Sequence, residues 1–218
     1  MKTFSDKLAS LRKDYIAHVL DVDHVSESPF EQFKTWFDEA LETIEHEVNV
    51  MTLASASVDG IPSARIVLLK GFNENGLSFF TNYESRKGQE LIENPYASLV
   101  FYWYELERQI RIEGKVEKLS PEESTAYFQS RPKGSQIGAH ASPQSQVIEN
   151  RTVLEQNVER LNVRFENDDM LPRPEHWGGF RLIPNQFEFW QGRPSRLHDR
   201  IRYRQLENGK WVIERLAP

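Results

Sequence analysis

The sequence contains no cysteine, which excludes disulfides, thiolate metal sites and cysteine nucleophiles. It also lacks the GxGxxG, P-loop, GxSxG and HExxH motifs, and its six histidines show no metal-ligand spacing with carboxylates. No apolar run approaches the roughly 20 residues of a membrane helix, and the N-terminus lacks the apolar core of a signal peptide. We therefore expect a cytoplasmic protein with no membrane segment and no metal.

Basic residues are outnumbered, because 27 Lys and Arg face 33 Asp and Glu and the formal net charge is −6. Broad nucleic-acid binding usually needs a basic surface, so nucleic acid is not an expected partner. At 218 residues the chain can bury a substantial core, and we predict a single domain over residues 1–218. Several of its cations lie in or beside predicted strands, where an unpaired charge is costly.

Hydrophobic periodicity and turn residues divide the chain into helices and strands. Helices are predicted over residues 5–19, from Ser28-Pro29 to about 44, over 85–93, from Ser120 to about 131, and around 154–165. Strands are predicted over residues 48–57, 61–70, 77–81, 96–104, 107–118, 178–190, 200–206 and 211–216, with an ordered loop or broken helix over 132–150. From these eight ranges we expect six or seven strands with surrounding helices, typical of an antiparallel α+β barrel.

The most distinctive segment is FEFWQGRPSRLHDR, residues 187–200. It opens with the alternation of a half-buried strand and continues into a turn with a dense group of charges. Arg196, His198 and Arg200 beside Trp190 suit a planar, anionic ligand, because guanidinium groups bind phosphate or carboxylate and an indole supplies a flat apolar wall. A surface ion-pair network around Asp199 would explain the same charges, so this segment alone leaves both interpretations open.

Two further groups of side chains are suited to phosphate. Arg65 and Lys70 lie on opposite faces of one apolar strand, which indicates different anionic partners, and Arg86-Lys87 lies at a helix start that favours phosphate. Tyr127 and Arg131 are predicted on one helix face with Ser135 just beyond, a set that could hold a phosphate dianion together with Lys70. Gln109 would be a solvent-facing strand residue if considered alone.

Four blocks in order resemble the pyridoxamine 5′-phosphate oxidase family, flavoenzymes that complete vitamin B6 synthesis and salvage. They are RIVLLK (65–70), FFTN with SRK (79–87), YFQSRPKGSQIGA (127–139) and FEFWQ with RLHDR (187–200). The resemblance extends from Arg12 to Pro218. It implies an α+β, mainly antiparallel, FMN-binding split β-barrel with surrounding helices and a homodimer that holds FMN at the subunit interface. Residues 1–20 would be an N-terminal helix or lid, and residues 178–218 a C-terminal dimerisation and active-site segment.

The resemblance also implies a role for individual residues. The expected FMN-binding residues are Arg65, Ile66, Val67, Leu68, Leu69, Lys70, Phe80, Thr81, Arg86, Lys87, Gln109, Gln144, Ser145, Trp190 and Arg200. The expected substrate-binding residues are Arg12, Tyr15, Lys70, Tyr127, Arg131, Ser135, Arg196 and His198, of which Arg196 and His198 would be catalytic. Lys13-Asp14 stands where many family members carry Arg-Glu, which leaves the N-terminal lid less well defined.

The implied reaction oxidises the 4′-carbon of pyridoxamine or pyridoxine 5′-phosphate to give pyridoxal 5′-phosphate. Hydride passes to the flavin, and molecular oxygen reoxidises it to yield hydrogen peroxide. A related split-barrel protein could instead bind flavin, haem or a deazaflavin and reduce another substrate, and a carrier could store FMN or pyridoxal phosphate without turnover. Tyr127, Arg131 and Ser135 argue against the first alternative, and the ring-facing His198 argues against the second.

Overall fold

The computed structural model describes residues 4–10, 15 and 18–218, so Arg12 lies outside the described residues. The helices are α1 (Phe4–Ser10), α2 (Pro29–Thr43), α3 (Arg86–Glu93), α4 (Pro121–Ser130), α5 (Lys133–Ala141) and α6 (Arg151–Arg164). The strands are β1 (Val50–Ala56), β2 (Pro62–Leu68), β3 (Gly71–Asn73), β4 (Gly76–Asn82), β5 (Tyr96–Trp103), β6 (Arg108–Lys118), β7 (Trp177–Gln191), β8 (Asp199–Gln205) and β9 (Trp211–Leu216). None of the helices in these ranges is both long and apolar enough to cross a membrane.

The nine strands found in the described residues form one sheet in the order β2-β1-β5-β6-β7-β4-β3, and β8 pairs with β7 and β9 with β8. The β1–β2, β3–β4, β4–β7, β7–β8 and β8–β9 pairings are antiparallel. The long β7 pairs with β4 over residues 177–182 and with β8 over residues 186–191. The expected number of six or seven strands was too low, although the eight predicted ranges each correspond to an observed strand. The strand without a predicted range is β3, whose three residues are too few to show an alternating pattern.

The predicted helix over residues 5–19 is wrong in its extent. Within the described residues helix α1 covers Phe4–Ser10, and Tyr15 and residues 18–20 are not helical. The apolar spacing of Leu8, Leu11 and Tyr15 suggested a longer helix, but spacing alone does not supply the tertiary packing on which most helical stability depends. Residues 132–150, predicted as a loop or broken helix, contain the nine-residue helix α5.

Two helices begin with the predicted Ser-Pro signature, yet their capping differs. Before α4, Ser120 and Glu123 form the reciprocal capping box, so two backbone donors at the helix start are satisfied. Before α2, Ser28 makes no capping hydrogen bond with its side chain, although Pro29 occupies the first turn as predicted. A Ser-Pro pair therefore precedes both helices, but the side chain of the serine caps only α4.

The chain forms two compact units, residues 1–48, 100–112 and 186–218 in the first and residues 49–99 and 113–185 in the second. The core of the first unit is aromatic: the ring of Phe33 lies 5.4 Å from that of Phe101, and Phe189 lies 5.3 Å from Trp36 and 5.6 Å from Tyr203. All five side chains are at most 4% exposed. This packing fixes the end of β7, which precedes the RLHDR segment, and the start of β8, which includes its last two residues.

The second unit has a core cluster of Phe128, Ile137, Phe165, Leu171 and Trp177. It joins α4, α5, the end of α6 and the start of β7, and so fixes the junction between α4 and α5. Tyr127, Arg131 and Ser135 are carried by that junction. The expectation of a single domain over residues 1–218 stays a prediction.

Candidate active site

The second unit contains a cavity of about 610 Å³, a size typical of small-molecule sites. Strand β2 and the residues after it form one part of its wall, β4 and α3 another, and the α4–α5 junction a third. It is lined by Ile66, Val67, Leu68, Lys70, Phe80, Thr81, Asn82, Lys87, Tyr127, Arg131, Pro132, Ser135, Gly138, Ala139, Ser142, Gln144 and Trp177. The structure thus brings together eight of the predicted FMN-binding positions and the predicted set for the substrate phosphate.

Three nearly parallel aromatic rings form part of this wall. Phe80 stacks on Tyr127 with ring centroids 3.8 Å apart and an angle of 19° between planes, and Trp177 lies 5.6 Å from Phe80 at 12°. The guanidinium carbon of Arg131 lies 4.6 Å from the centroid of Trp177, so a cation covers the last ring. The arrangement offers flat apolar surface beside positive charge.

Among the described residues, the cavity is lined by three cations, Lys70, Lys87 and Arg131, and by no carboxylate. None of the three forms an ion pair with a described residue, and Nη1 of Arg131 is buried without a hydrogen-bond partner there. Burial lowers the pKa of Arg131, and the neighbouring Tyr127 only partly opposes this. Because an uncompensated buried cation is costly, the cavity is suited to an anionic ligand.

Lys87 is held in place by neutral oxygen atoms. Its Nζ donates to Oγ1 of Thr81 over 3.2 Å and to Oε1 of Gln144 over 3.0 Å. Burial, and next the charge of Arg65, lowers the pKa of Lys87. A phosphate at this point would restore the preference for the charged amine.

Arg65 and Arg86 do not line the cavity and instead contact Glu90 on α3. Arg65 was predicted to need a carboxylate or an anionic ligand, and Glu90 lies 3.3 Å from its Nη2. Lys70, predicted on the opposite face, follows the end of β2 and lines the cavity. The two cations therefore do have different surroundings.

In the first unit, three predicted site residues, Tyr15, Trp190 and His198, form a small cluster of rings. The rings of Trp190 and His198 are 4.5 Å apart, and Tyr15 lies 5.7 Å from each. Gly192 is required here, since an added Cβ would approach Tyr15 to 2.7 Å. Ser195 and Arg196 both have positive φ, an uncommon conformation for residues other than glycine that often marks functional loops.

His198 has a defined hydrogen-bonding state. Its Nδ1 accepts from the backbone N–H of Arg193 over 3.1 Å, so a neutral ring carries its proton on Nε2. Burial, followed by the charge of Arg196, lowers the pKa of His198, while Asp199 opposes this. The neutral ring with a proton on Nε2 is thus favoured near pH 7.

The charged residues around RLHDR also form ion pairs. Glu188, only 2% exposed, lies 2.8 Å from Nε of Arg200 and 2.9 Å from Nη2 of Arg111. Asp199 pairs with Arg193 and Arg215 at 3.4 and 3.2 Å. The ion-pair interpretation of this segment therefore holds for Asp199 and Arg200. Arg196 is exposed and forms no ion pair with a described residue, and binding of a planar, anionic ligand by this segment stays a prediction.

Comparison with known proteins identifies the family. Residues 37–165 match the family description "Pyridoxamine 5'-phosphate oxidase", and residues 177–218 match "Pyridoxine 5'-phosphate oxidase C-terminal dimerisation region". The chain belongs to the pyridoxamine 5′-phosphate oxidase family. Proteins named pyridoxine/pyridoxamine 5′-phosphate oxidase from Salinibacter ruber and Paraburkholderia phymatum are 56% and 58% identical to it, over 97% of this chain and 99% of each relative.

Solved structures of similar fold include two that are informative about this family. PhzG from Burkholderia lata 383, in complex with tetrahydrophenazine-1-carboxylic acid, is 32% identical with a TM-score of 0.84 over 92% of this chain and 98% of its own. A pyridoxamine 5′-phosphate oxidase-related, FMN-binding protein from Nostoc punctiforme is 20% identical with a TM-score of 0.70 over 88% and 99%. The predicted α+β split-barrel class, the family and the oxidoreductase class are confirmed.

Several predicted residues lie outside the cavity, and their roles stay predictions. Leu69 is buried in the core, Gln109 is half-buried on β6, and Ser145 is exposed with φ of 72° directly after Gln144. The sequence interpretation missed Trp177, which stacks in the cavity wall, and Glu90, which contacts both arginines. Trp177 could have been noticed as an aromatic residue directly before the predicted strand over residues 178–190, whereas no local signal marks Glu90.

Proposed function

We propose that this protein is an FMN-dependent oxidase that converts pyridoxamine or pyridoxine 5′-phosphate to pyridoxal 5′-phosphate and reduces molecular oxygen to hydrogen peroxide. We further propose that it acts as a homodimer, since residues 177–218 match the dimerisation region of the family. A cytoplasmic location is compatible with the absence of cysteine and stays a prediction. The proposal combines family membership with the chemistry of the cavity.

The observation that carries it is the cavity, to which the described residues contribute three cations, no carboxylate and a stack of aromatic rings. Its polar side chains fall into two groups. Lys87 is held by Thr81 and Gln144. Lys70, Tyr127, Arg131 and Ser135 line other parts of the wall. Two groups of donors suit two phosphorylated molecules, a cofactor and a substrate, better than one.

The residues present fit FMN. Strand residues 66–68 and the ring of Phe80 supply a flat apolar surface, and Lys87 supplies a cation without a carboxylate partner in the described residues. When bound, FMN would accept hydride from the substrate and pass the electrons to oxygen. The chain's own contribution is to bind both molecules, exclude water from between them and fix their orientation.

The proposed role of Lys70, Tyr127, Arg131 and Ser135 is to anchor the substrate phosphate. The buried, unpartnered Nη1 of Arg131 would gain a charge-assisted hydrogen bond on binding. In this proposal Arg196 positions the substrate at its reacting end. His198, whose Nδ1 is already occupied, offers Nε2–H as a donor to a substrate oxygen or nitrogen.

The PhzG structure favours a second candidate, oxidation of a reduced phenazine carboxylate, because that relative is 32% identical and was solved with such a ligand. The named ligand carries a carboxylate and no phosphate. The four-residue anchor with a buried cation argues for phosphate, since it supplies more donors than one carboxylate requires. The two candidates thus differ in their dependence on substrate phosphate.

The test is hydrogen peroxide release by the purified, flavin-loaded protein in air. Pyridoxamine 5′-phosphate should support steady turnover, while pyridoxamine without its phosphate should be at least about 100-fold less effective in kcat/KM, because the anchor contributes binding only to the phosphate ester. Turnover of tetrahydrophenazine-1-carboxylic acid with none of pyridoxamine 5′-phosphate would overturn the proposal in favour of the second candidate. Flavin binding without turnover of either compound would indicate a carrier.

A further inference from the structure

Glu90 lies at the centre of a polar network that links α3 to the β1–β2 hairpin. Its carboxylate accepts from the hydroxyl groups of Ser55 and Ser63 over 2.6 and 2.5 Å. Nε of Arg86 donates to the same carboxylate over 2.8 Å, and Nη2 of Arg65 donates over 3.3 Å. The Glu90 side chain is only 7% exposed, so four donors compensate the burial of one negative charge.

The network uses the two guanidinium groups differently. Both Nη atoms of Arg65 bond within the chain, Nη1 to the Leu53 carbonyl and Ser55 and Nη2 to Ser63 and Glu90. Arg86 bonds to Glu90 only through Nε, and its two Nη nitrogens make no hydrogen bond within the described part of the chain. The side chain of Arg86 is 62% exposed, so Glu90 holds its Nε while its two Nη nitrogens can still donate, as a fork, to a ligand.

The position of Arg86 in α3 suits such a fork to an oxyanion. Arg86 is the first residue of the helix, Ser85 caps it by accepting from the N–H of Gly88, and Lys87 follows with its amine in the cavity. A helix start favours negative charge, and an anchored guanidinium loses less side-chain freedom when it binds one. With Glu90 ionised, Arg65, Arg86, Lys87 and Glu90 together carry a net charge of +2, which matches a phosphate dianion.

We propose that Glu90 is a positioning residue for the cofactor phosphate, holding Arg86, with Arg65 behind it, in the orientation that binds the phosphate of FMN. This inference rests on the proposed FMN dependence. It assigns Glu90 a role despite its negative charge, which by itself would repel phosphate. By positioning Arg86, Glu90 should strengthen phosphate binding, whereas its negative charge should weaken it. Which of the two effects is larger can be measured.

The experiment measures binding of FMN and of riboflavin to flavin-free protein by the quenching of flavin fluorescence. Glu90→Gln keeps the size of the side chain and removes the charge, while Glu90→Asp keeps the charge and withdraws it by one methylene. If position dominates, both variants should bind FMN at least about tenfold more weakly, the loss expected for one charge-assisted hydrogen bond, and riboflavin affinity should not change. Glu93→Gln, exposed on the same helix, is the matched control and should bind FMN like wild type.

A double-variant comparison shows whether Glu90 acts through Arg86. Arg86→Ala should itself weaken FMN binding, and adding Glu90→Gln should cause little further loss, because the residue to be positioned is gone. Tighter FMN binding by Glu90→Gln with an unchanged Glu90→Asp would show that Glu90 acts only through its charge and would overturn the inference. Equal weakening of FMN and riboflavin would overturn it in favour of a general structural role.

The wild-type protein separates this inference from the proposed function. If it binds FMN and the Glu90 variants retain wild-type affinity, only the positioning role fails. If wild type binds neither FMN nor riboflavin, the proposed function fails. Should Glu90→Gln not fold, the comparison of FMN and riboflavin in Glu90→Asp, which keeps the charge of the network, decides the question.

Discussion

At the scale of single residues, the cavity brings together positively charged and neutral hydrogen-bonding side chains, and none of its cations has a carboxylate partner among the described residues. Sequence blocks predicted Lys70, Lys87, Tyr127, Arg131 and Ser135 as phosphate ligands, and all five line one cavity. The pairing of Arg65 with Glu90 could not be predicted, because the two residues are 25 positions apart and Glu90 looks like an ordinary helix glutamate. The spacing of residues in a motif reports local geometry. The contact between Arg65 and Glu90 depends instead on which helix packs against strand β2, which the spacing does not show.

Replacing Arg131 with alanine should mainly weaken substrate binding. The variant loses a charge-assisted contact of about 1.5–3 kcal/mol that is made before and during the reaction, so KM for pyridoxamine 5′-phosphate should rise about 10- to 100-fold with little change in kcat. Lys133→Ala, which removes a nearby exposed cation that does not line the cavity, is the control for lost charge. Loss of FMN with unchanged KM would show that the two phosphate positions are exchanged.

Replacing Arg196 with glutamine should raise the pKa of His198. Burial is the largest cause of the lowered value and Arg196 is the second, so removing that cation allows the ring to be protonated at higher pH. An NMR titration of the His198 ring nitrogens in wild type and variant measures the change. The same spectra should show the proton of the neutral ring on Nε2, and a proton on Nδ1 would contradict the hydrogen bond to Arg193.

At the scale of elements, apolar periodicity predicted most helices and strands to within a few residues. It failed where local patterns carry little information, at three-residue β3, at α5 and at the end of α1. Helix α5 contains Gly134 and Gly138 and follows Pro132, a composition that favours a loop. Its burial of Gln136, Ile137 and Ala141 shows that tertiary contacts outweigh the weak intrinsic preference.

The connection between α3 and the β1–β2 hairpin should fail in acid. Burial would raise the pKa of Glu90, but hydrogen bonds from Ser55, Ser63 and Arg86 and the charge of Arg65 lower it to about 2 from an unfolded value of 4.5. A carboxylate with a lowered pKa stabilises the fold fully above its unfolded value, and this contribution, about 3 kcal/mol, is lost as the pH falls from about 5 to 2.

Urea unfolding of flavin-free wild type, Glu90→Gln and Glu93→Gln at several pH values measures this contribution. The difference in unfolding free energy between wild type and Glu90→Gln should shrink as the pH falls from about 5 towards 2. The Glu93→Gln control should follow wild type throughout. A difference that is the same at pH 7 and pH 3 would mean that ionisation of Glu90 does not stabilise the fold.

At the scale of the whole molecule, the proposed homodimer implies active sites built from two chains. The expected FMN ligands come from widely separated stretches of sequence. The resemblance to the family implies that the flavin lies across a two-fold interface. Arg65→Ala and Arg200→Ala homodimers should each be poorly active, because each substitution damages both sites. In a hybrid dimer one site carries both substitutions and the other neither, so the isolated hybrid should recover about half of wild-type activity.

Co-expression of the two variants with different tags allows the hybrid to be isolated and assayed for peroxide release. Size-exclusion chromatography must first show that all three species are folded dimers. A folded, dimeric hybrid as inactive as its parents would mean that Arg65 and Arg200 serve the same site from one chain.

The most direct test of the account is the reaction of the flavin with substrate in the absence of oxygen. The protein should release FMN and not FAD on denaturation, as the phosphate-binding groups suit one terminal phosphate and no dinucleotide fingerprint is present. Mixed anaerobically with pyridoxamine 5′-phosphate, the bound flavin should lose its visible absorbance as pyridoxal 5′-phosphate forms in equal amount, and admitting air should restore the absorbance. A flavin that stays oxidised with this substrate, or a protein that carries FAD, would contradict the account.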